Sequence, residues 1–325
     1  MLPRFIQRYT GILRSWKGVY VLNNRWNARL LQHNRALYRK YGLKKNIYAP
    51  IGWADFPQHD TENMPWLDQP GAMTALEAHP RFQAFDATLQ EKIRGFVRDG
   101  YLILEQFFPE AETGALNAEV DALLSRGRVG YNYTGRKIFN LFENSALARD
   151  RFFRNPELLE LLSFLLGRQV IPFQSLNFTQ GSEQRAHSDS IHMTTEPPGY
   201  LIATWIALED IQAGSGELLY YPGSHRLPYV MTPDYDSGNT RYTIGAESNR
   251  HYEDHIERLV AHHGLKPASF LPRRGDVLIW HANLLHGGSS IARPDATRRS
   301  MVCHYFAEGA LCYHEMSQRP ALIKP

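Results

Sequence analysis

The chain has 325 residues, of which 43% are hydrophobic and 21% are charged, and its formal net charge at pH 7 is +3. These proportions are ordinary for a soluble globular protein. Cys303 and Cys312 are the two cysteines, so a disulfide framework is not expected and a reducing cytoplasm is the predicted location. No apolar run approaches the roughly 20 residues needed to cross a bilayer. The N-terminus also lacks the continuous apolar core of a signal peptide.

Charge is distributed unevenly along the chain. Eleven Lys or Arg residues and no Asp or Glu precede Asp55, so the remainder holds 25 basic and 33 acidic residues, a net charge of −8. Aromatic and aliphatic side chains are interleaved with the basic ones in residues 1–50. Three interpretations fit: an arm on the acidic body of the same protein or of a second subunit, an amphipathic segment on anionic membrane, or an Arg-rich transit peptide. Nucleic-acid binding is not expected, because no recognition motif accompanies the charge.

The sequence before Gly167 predicts an N-terminal extension followed by three helices and one short strand. Residues 1–85 are interpreted as an N-terminal extension that ends in an irregular, proline-containing connection. Apolar residues then recur at helical spacing until Asp99-Gly100 stops the run, and Asn155 is a candidate cap for a later helix. The predicted elements are helices over 86–99, 109–126 and 156–167, and a short buried strand over 101–104.

After Gly167 the sequence changes to short β-rich runs separated by Gly, Pro and polar turns. The predicted strands cover 170–178, 200–208, 217–221, 276–280 and 300–306. Strands that follow helices in this way predict a mainly β fold with helical additions (α+β), a double-stranded β-helix or jelly roll with helices packed on one side. This domain is expected to span 86–325. Its long polar insertion at about 227–269 is typical of a lid or binding loop.

Three side chains in the second half of the chain suggest a metal site, and a fourth suggests a binding group for a carboxylate. His187 and Asp189 are two residues apart, so on an extended strand they share a face and can point at one ion. His286 lies just before two glycines, which let backbone approach the site closely. Two imidazoles and one carboxylate are the ligand set that holds Fe(II) and leaves other positions open. Arg298 is a permanent cation suited to gripping a carboxylate with two parallel hydrogen bonds.

The chain from about residue 96 to 306 resembles the phytanoyl-CoA dioxygenase family of Fe(II)/2-oxoglutarate oxygenases. The resemblance rests on FVRDGYLIL at 96–104, the His187–Asp189 pair, WIALEDIQAGSGELLYYPGSH at 205–225, WHANLLHGGS at 280–289 and RRSMVCHY at 298–305. It implies that His187, Asp189 and His286 are the catalytic iron ligands. It also implies that Arg298 binds the distal carboxylate of 2-oxoglutarate, which acts with O2 as co-substrate.

The same resemblance suggests three further side chains for the co-substrate pocket. Trp205 matches a position that lines this pocket, although an ordinary core tryptophan is nearly as good an interpretation. Gln174 stands where relatives place an amide, and Asn177 is its rival. Ser289 is a candidate for the 2-oxoglutarate carboxylate, but many relatives carry their serine at the place of Gly288.

Neighbouring polar residues are expected to have supporting roles. Arg299 should face away from Arg298 on a strand and form a surface salt bridge. Three histidines close to the motifs are expected to be packed residues or partners of the ligands: His192, His281 and His304. The turn ending in His225 is expected to fix a loop, and Cys303 to be a buried thiol.

These features predict oxidation, most simply hydroxylation, of a C–H bond, with release of succinate and CO2. The carboxylate of Asp189 favours hydroxylation, desaturation or cyclisation, because halogenating relatives lack it. Two alternatives stay open: a cupin-type metalloenzyme using Zn or Mn, and a non-catalytic ligand-binding protein of the same fold. The substrate is expected to be either an amphiphile met at a membrane or a soluble small molecule enclosed by the 227–269 insertion.

Overall fold

Antiparallel sheets form the centre of the molecule. The computed structural model describes residues 15–132 and 135–323. Their strands are β1 (Tyr101–Leu104), β2 (Lys137–Phe139), β3 (Val170–Phe178), β4 (Thr194–Glu196), β5 (Leu201–Ala207), β6 (Leu218–Tyr220), β7 (Ala268–Phe270), β8 (Val277–His281), β9 (His286–Gly288), β10 (Ser300–Ala307), β11 (Leu311–His314) and β12 (Arg319–Pro320). The largest sheet has the order β1-β8-β5-β10-β3-β2, and two three-stranded sheets have the orders β7-β6-β9 and β12-β11-β4. The predicted mainly β fold is confirmed.

The central strands are buried on both faces, and their side chains alternate between two apolar clusters. In β5, Ile202 and Ile206 pack with the helices, whereas Trp205 packs between the large sheet and the β7-β6-β9 sheet. In β8, Ile279 lies on the helix side and Trp280 on the interior side. Because strand side chains alternate with a period of two, each of these strands serves both the structural core and the interior of the jelly roll.

Eight α-helices precede or interrupt the strands in the described ranges. They are α1 (Lys17–Trp26), α2 (Asn34–Lys40), α3 (Ala72–Ala78), α4 (Pro80–Gln83), α5 (Ala87–Asp99), α6 (Glu110–Ser125), α7 (Pro156–Leu166) and α8 (Ser248–His262). The side chain of Asp86 accepts from the backbone N–H of Leu89 at 2.9 Å and so caps α5, while Gly100, at φ 83°, ends it. Asn155 caps α7 in the same way. The three predicted helices are confirmed.

The described part of the N-terminal region packs on the body of the protein. Leu31, Tyr38 and Ile51 share an apolar cluster with Leu311 and Tyr313 of β11. The ammonium group of the buried Lys17 donates to the carbonyl of Thr240 and to the side chain of Gln318, both at 2.6 Å. For residues 15–50 these contacts favour the interpretation of a basic arm that lies on its own protein. Arg4, Arg8 and Arg14, part of the same basic run, lie outside the described residues.

The insertion contains a helix that packs behind the candidate metal site. Tyr252 and Ile256 of α8 lie in an apolar cluster with Ile191 and Leu285, which neighbour the candidate ligands in sequence. The contact arises because α8 places its buried residues four apart, on one face. In the described ranges, none of the helices combines the length and the apolar character that a bilayer span requires.

Candidate metal centre and co-substrate pocket

The structure brings His187, Asp189 and His286 together, although up to 99 residues separate them in sequence. One potential metal-binding atom from each of the three lies within 4.8 Å of the others, and all three side chains are buried. A backbone bridge aligns them: the N–H of each histidine donates to the carbonyl of the other at 2.9 Å. Ser188 is extended, so His187 and Asp189 point to the same side, as the spacing predicted.

Backbone carbonyls fix the orientation of both imidazoles. Nδ1 of His187 lies 2.9 Å from the carbonyl oxygen of Arg185, and Nδ1 of His286 lies 3.0 Å from that of Leu284. A carbonyl only accepts, so each Nδ1 carries the hydrogen and each Nε2 keeps a lone pair for a metal ion. Burial, followed by the neighbouring His286, lowers the pKa of His187 well below its usual range, which keeps the ring neutral. This donor set fits a ferrous ion.

The carboxylate of Asp189 is held through one oxygen. Trp280 donates its indole N–H to Oδ2 at 2.8 Å, and Nε2 of His304 lies 3.5 Å from the same oxygen. The other oxygen, Oδ1, lies 3.6 Å from Nε2 of His286. Burial would raise the pKa of Asp189, but the adjacent His286 and His304 outweigh this effect and hold it well below its usual range. A carboxylate held in its ionised form in this way is suited to bind a metal ion.

Arg298, two residues before β10, is a buried cation that packs against the interior apolar cluster, and only 2% of its surface is exposed. Its guanidinium carbon lies 4.9 Å from the ring centroid of Phe178 and 5.5 Å from that of Trp205, and Nη1 donates to the hydroxyl of Ser300 at 3.1 Å. Among the described residues, its Nε has no hydrogen-bond partner and no carboxylate lies within 4.0 Å of the group. Burial lowers the pKa of Arg298 to about 10, an effect that the more distant Glu217 opposes, and the group stays charged at neutral pH. Such a group is prepared for an anion.

The alternation of side chains along the strands shows on which face of the sheet each of the other candidates lies. Arg299 faces outwards and pairs with Asp121 at 2.9 Å, as predicted. Gln174 is in register with His304 and shares the interior face of β3 with Phe178, whereas Asn177 is in register with Met301 on the helix side. This register favours Gln174 over its rival. The buried hydroxyl of Ser289 lacks a hydrogen-bond partner within the described ranges.

The structure places the other residues that were expected to have supporting roles. The ring of His192 packs edge-on against that of His187, with centroids 5.6 Å apart, and Nε2 of His281 lies 3.0 Å from the carboxylate of Asp68. Cys303 is fully buried. These positions agree with the packed roles expected from the sequence.

Two polar residues beside the ligands were not recognised from the sequence. The ammonium group of Lys137 donates to Oε1 of Gln184 at 2.9 Å, and Nε2 of Gln184 lies 3.2 Å from Nε2 of His187. Burial lowers the pKa of Lys137, an effect that the nearby Asp189 opposes. Gln184 stands three residues before a ligand, which is the signal that could have identified it. Lys137 lies 50 residues before His187, in a segment without a recognisable motif.

The fold and this site together are those of a jelly-roll protein that has three candidate metal ligands and a buried cation in its interior. A model of the family described as phytanoyl-CoA dioxygenase (PhyH) matches residues 96–300. The chain belongs to the phytanoyl-CoA dioxygenase family, whose members are Fe(II)/2-oxoglutarate-dependent dioxygenases. The family, the iron and the 2-oxoglutarate chemistry predicted from the sequence are thereby confirmed.

Similar proteins include enzymes that act on different substrates. An ectoine dioxygenase from Nocardia farcinica is 28% identical over 261 residues, which cover 72% of this chain and 85% of the relative. The human peroxisomal phytanoyl-CoA dioxygenase is 18% identical over 266 residues, covering 72% and 74% of the two chains. The fold is similar to that of EctD from S. alaskensis, solved with 2-oxoglutarate and 5-hydroxyectoine, at a TM-score of 0.52 and 22% identity over 74% of this chain and 83% of EctD.

Proposed function

We propose that this protein hydroxylates a C–H bond of a small molecule, with His187, Asp189 and His286 as the iron ligands. In this proposal Arg298 binds the distal carboxylate of 2-oxoglutarate. The observation that carries it is the buried guanidinium of Arg298, which has no carboxylate within 4.0 Å among the described residues and packs on Phe178 and Trp205 in the same interior apolar cluster as Trp280, the partner of Asp189 and His286. A dicarboxylate would satisfy this cation with one end and reach the metal with the other.

In this reaction the protein would bind and orient the co-substrate and the substrate, and it would exclude water from the site. Bound iron would supply the activation of O2 that couples conversion of 2-oxoglutarate to succinate and CO2 with oxidation of the substrate. Phe178 and Trp205 cover the guanidinium of Arg298 and would exclude water from the carboxylate bound there. Gln174 and Ser289 are proposed as further hydrogen-bonding partners of the co-substrate.

Arg298 also separates the proposal from its two alternatives. A cupin-type enzyme with Zn or Mn would use the three ligands but would have no role for a buried, unpaired guanidinium. A non-catalytic binding protein would not need an ionised Asp189 held in a fixed orientation. Burial of an unpaired charge costs stability, so its presence favours a function that requires a bound anion.

Anaerobic titration with Fe(II) and 2-oxoglutarate tests the assignment. The full chain should develop a weak visible charge-transfer band, and Asp189→Ala and His286→Ala should each abolish the band and substrate-independent succinate formation. His262→Ala, which removes an exposed imidazole from α8, is the matched control and should retain both signals. Iron-dependent succinate formation that survived both ligand changes would show that the ligands are wrongly assigned.

We further propose that α1 brings the enzyme to an anionic membrane surface. A surface helix normally buries its apolar side chains and exposes its polar ones, and α1 does the reverse at four positions. It buries Lys17 and Asn24, while 64% of Leu22 and 91% of Trp26 are exposed. Leu22 and Trp26 lie one turn apart on the same face, and the exposed Arg25 is adjacent to Trp26. Exposed apolar and tryptophan side chains flanked by basic ones are typical of helices that lie at the lipid interface.

Co-sedimentation with vesicles tests this second proposal. The full chain should bind phosphatidylglycerol-containing vesicles at low salt, and Leu22→Ser/Trp26→Ser should bind several-fold less. Leu271→Ser, at a residue that is 49% exposed elsewhere on the surface, is the control and should bind normally. Equal binding by both variants would contradict the proposal. A double variant that changes the oligomeric state instead would identify the helix face as a subunit contact.

A further inference from the structure

Trp280 contacts two of the three candidate iron ligands. Its indole N–H donates to Oδ2 of Asp189 at 2.8 Å, and its ring centroid lies 4.8 Å from that of His286. Trp280 is 1% exposed and belongs to the interior apolar cluster, so its position is fixed by packing. Since an indole nitrogen only donates, the direction of the hydrogen bond is unambiguous.

The two oxygens of Asp189 therefore have different environments. Oδ2 accepts from Trp280 and lies 3.5 Å from Nε2 of His304, whereas Oδ1 is the oxygen near Nε2 of His286. A carboxylate rotated to present both oxygens to an ion would have to break the bond to Trp280. The buried indole N–H would then have no acceptor, which is costly in an apolar interior.

We propose that Trp280 is a positioning residue that keeps Asp189 a one-oxygen ligand and so preserves an open position for the co-substrates. This inference rests on the proposed function, since it assumes that Asp189 binds iron. A carboxylate that bound through both oxygens would occupy one more place around the ion, and 2-oxoglutarate together with O2 needs all the places that three protein ligands leave open. Partners that orient metal ligands in this way typically change affinity by about 10- to 100-fold when removed.

Metal titration of Trp280→Phe tests the inference without relying on turnover. Phenylalanine retains most of the apolar ring but removes the N–H. We expect affinity for Fe(II) and Co(II) to fall by about 10- to 100-fold, and the visible spectrum of the Co(II) protein to change as Asp189 becomes free to bind through both oxygens. Anaerobic 2-oxoglutarate binding should weaken in parallel.

Trp66→Phe is the matched control. The indole N–H of Trp66 also donates a hydrogen bond, at 2.9 Å to the carbonyl of Phe164, on the helix side of the molecule. This variant should keep wild-type metal affinity and the wild-type Co(II) spectrum. If Trp280→Phe matched Trp66→Phe in affinity and spectrum, Trp280 would be a packing residue only and the inference would be overturned.

A measurement on the unaltered protein covers the case in which Trp280→Phe does not fold. On titration with Co(II), the indole N–H resonance of Trp280 should shift strongly and stay protected from exchange, and that of Trp66 should change much less. A Trp280 resonance that is unmoved, or that loses its protection, would overturn the inference. If the wild-type protein bound neither Fe(II) nor Co(II), the proposed ligands would fail instead, so the two failures are distinguishable.

Discussion

Arg185 pairs with Asp254 at 2.8 Å and thereby joins the segment that leads into His187 to helix α8 of the insertion. Glu257 and Asp254 together raise the pKa of Arg185, and Glu253 lies 3.4 Å from the same guanidinium. Tyr252 immediately precedes Glu253 on α8, and its hydroxyl accepts from the backbone N–H of Ser188 at 3.0 Å. The sequence suggested a lid or binding loop for this insertion. The contacts show that α8 supports the ligand-bearing segment from behind.

Replacing Tyr252 by Phe should destabilise the protein and loosen the ligand segment. The buried N–H of Ser188 would lose its acceptor, which typically costs about 1–3 kcal/mol. Urea unfolding of the metal-free protein measures this loss, and Co(II) titration measures the accompanying decrease in affinity. Tyr235→Phe removes a hydroxyl that contacts Ser248 at 3.3 Å, in the same insertion, and serves as control. Equal losses of metal affinity in the two variants would contradict a specific role for Tyr252.

Replacing Arg298 by Met should separate co-substrate binding from stability. Loss of a charged, two-pronged contact should weaken 2-oxoglutarate binding by about 100-fold, or roughly 3 kcal/mol. The metal-free protein should be as stable as wild type or more stable, because a buried charge with no carboxylate within 4.0 Å among the described residues is replaced by an apolar side chain of similar length. Isothermal titration with 2-oxoglutarate and urea unfolding provide the two readouts.

Arg299→Met is the neighbouring control for that experiment. Arg299 pairs with an exposed Asp121, and surface pairs of this kind contribute about 0–1 kcal/mol. We expect a small change in stability and unchanged 2-oxoglutarate affinity. If Arg299→Met weakened 2-oxoglutarate binding more than Arg298→Met, the two arginines would have been assigned in the wrong order.

Replacing Gln184 by Ala should tighten metal binding. The amide nitrogen of Gln184 donates to Nε2 of His187, whose lone pair a metal ion needs, so the hydrogen bond and the metal compete. A neutral hydrogen bond contributes about 0.5–1.5 kcal/mol, which corresponds to an affinity gain of up to about tenfold. Co(II) titration checks this, with Gln83→Ala on the surface as control. Weaker binding by Gln184→Ala would mean that the amide supports the bound metal instead.

Local periodicity accounts for what the sequence predicted correctly. The helix over 86–99, the cap at Asn155, and the opposite directions of Arg298 and Arg299 follow from patterns within a few residues. Contacts between distant segments were not predictable in this way. Trp280 and Asp189 are 91 residues apart, and only the pairing of strands brings the indole to the carboxylate. The support that α8 gives to His187 is of the same kind, because a polar insertion does not reveal which surface it packs against.

His225 should make the stability of the metal-free protein depend on pH. Burial, followed by the neighbouring His281, lowers the pKa of His225 to about 3, while Asp68 acts in the opposite direction and Arg226 adds to the lowering. Between this value and the ordinary value near 6.5, the unfolded chain binds a proton that the folded chain does not. The contribution of neutral, buried His225 to the free energy of unfolding is therefore fully present above about pH 6.5. It is lost as the pH falls towards 3.

His225→Gln should remove about one proton from the difference in proton binding between the unfolded and folded chains. Its free energy of unfolding should therefore fall less steeply than that of wild type between about pH 6.5 and 4, measured by urea unfolding at several pH values. His262→Gln, at an exposed residue, should keep the wild-type slope. A His225→Gln slope equal to that of wild type would mean that His225 is protonated to the same extent in both states, and that its burial against His281 does not keep it neutral.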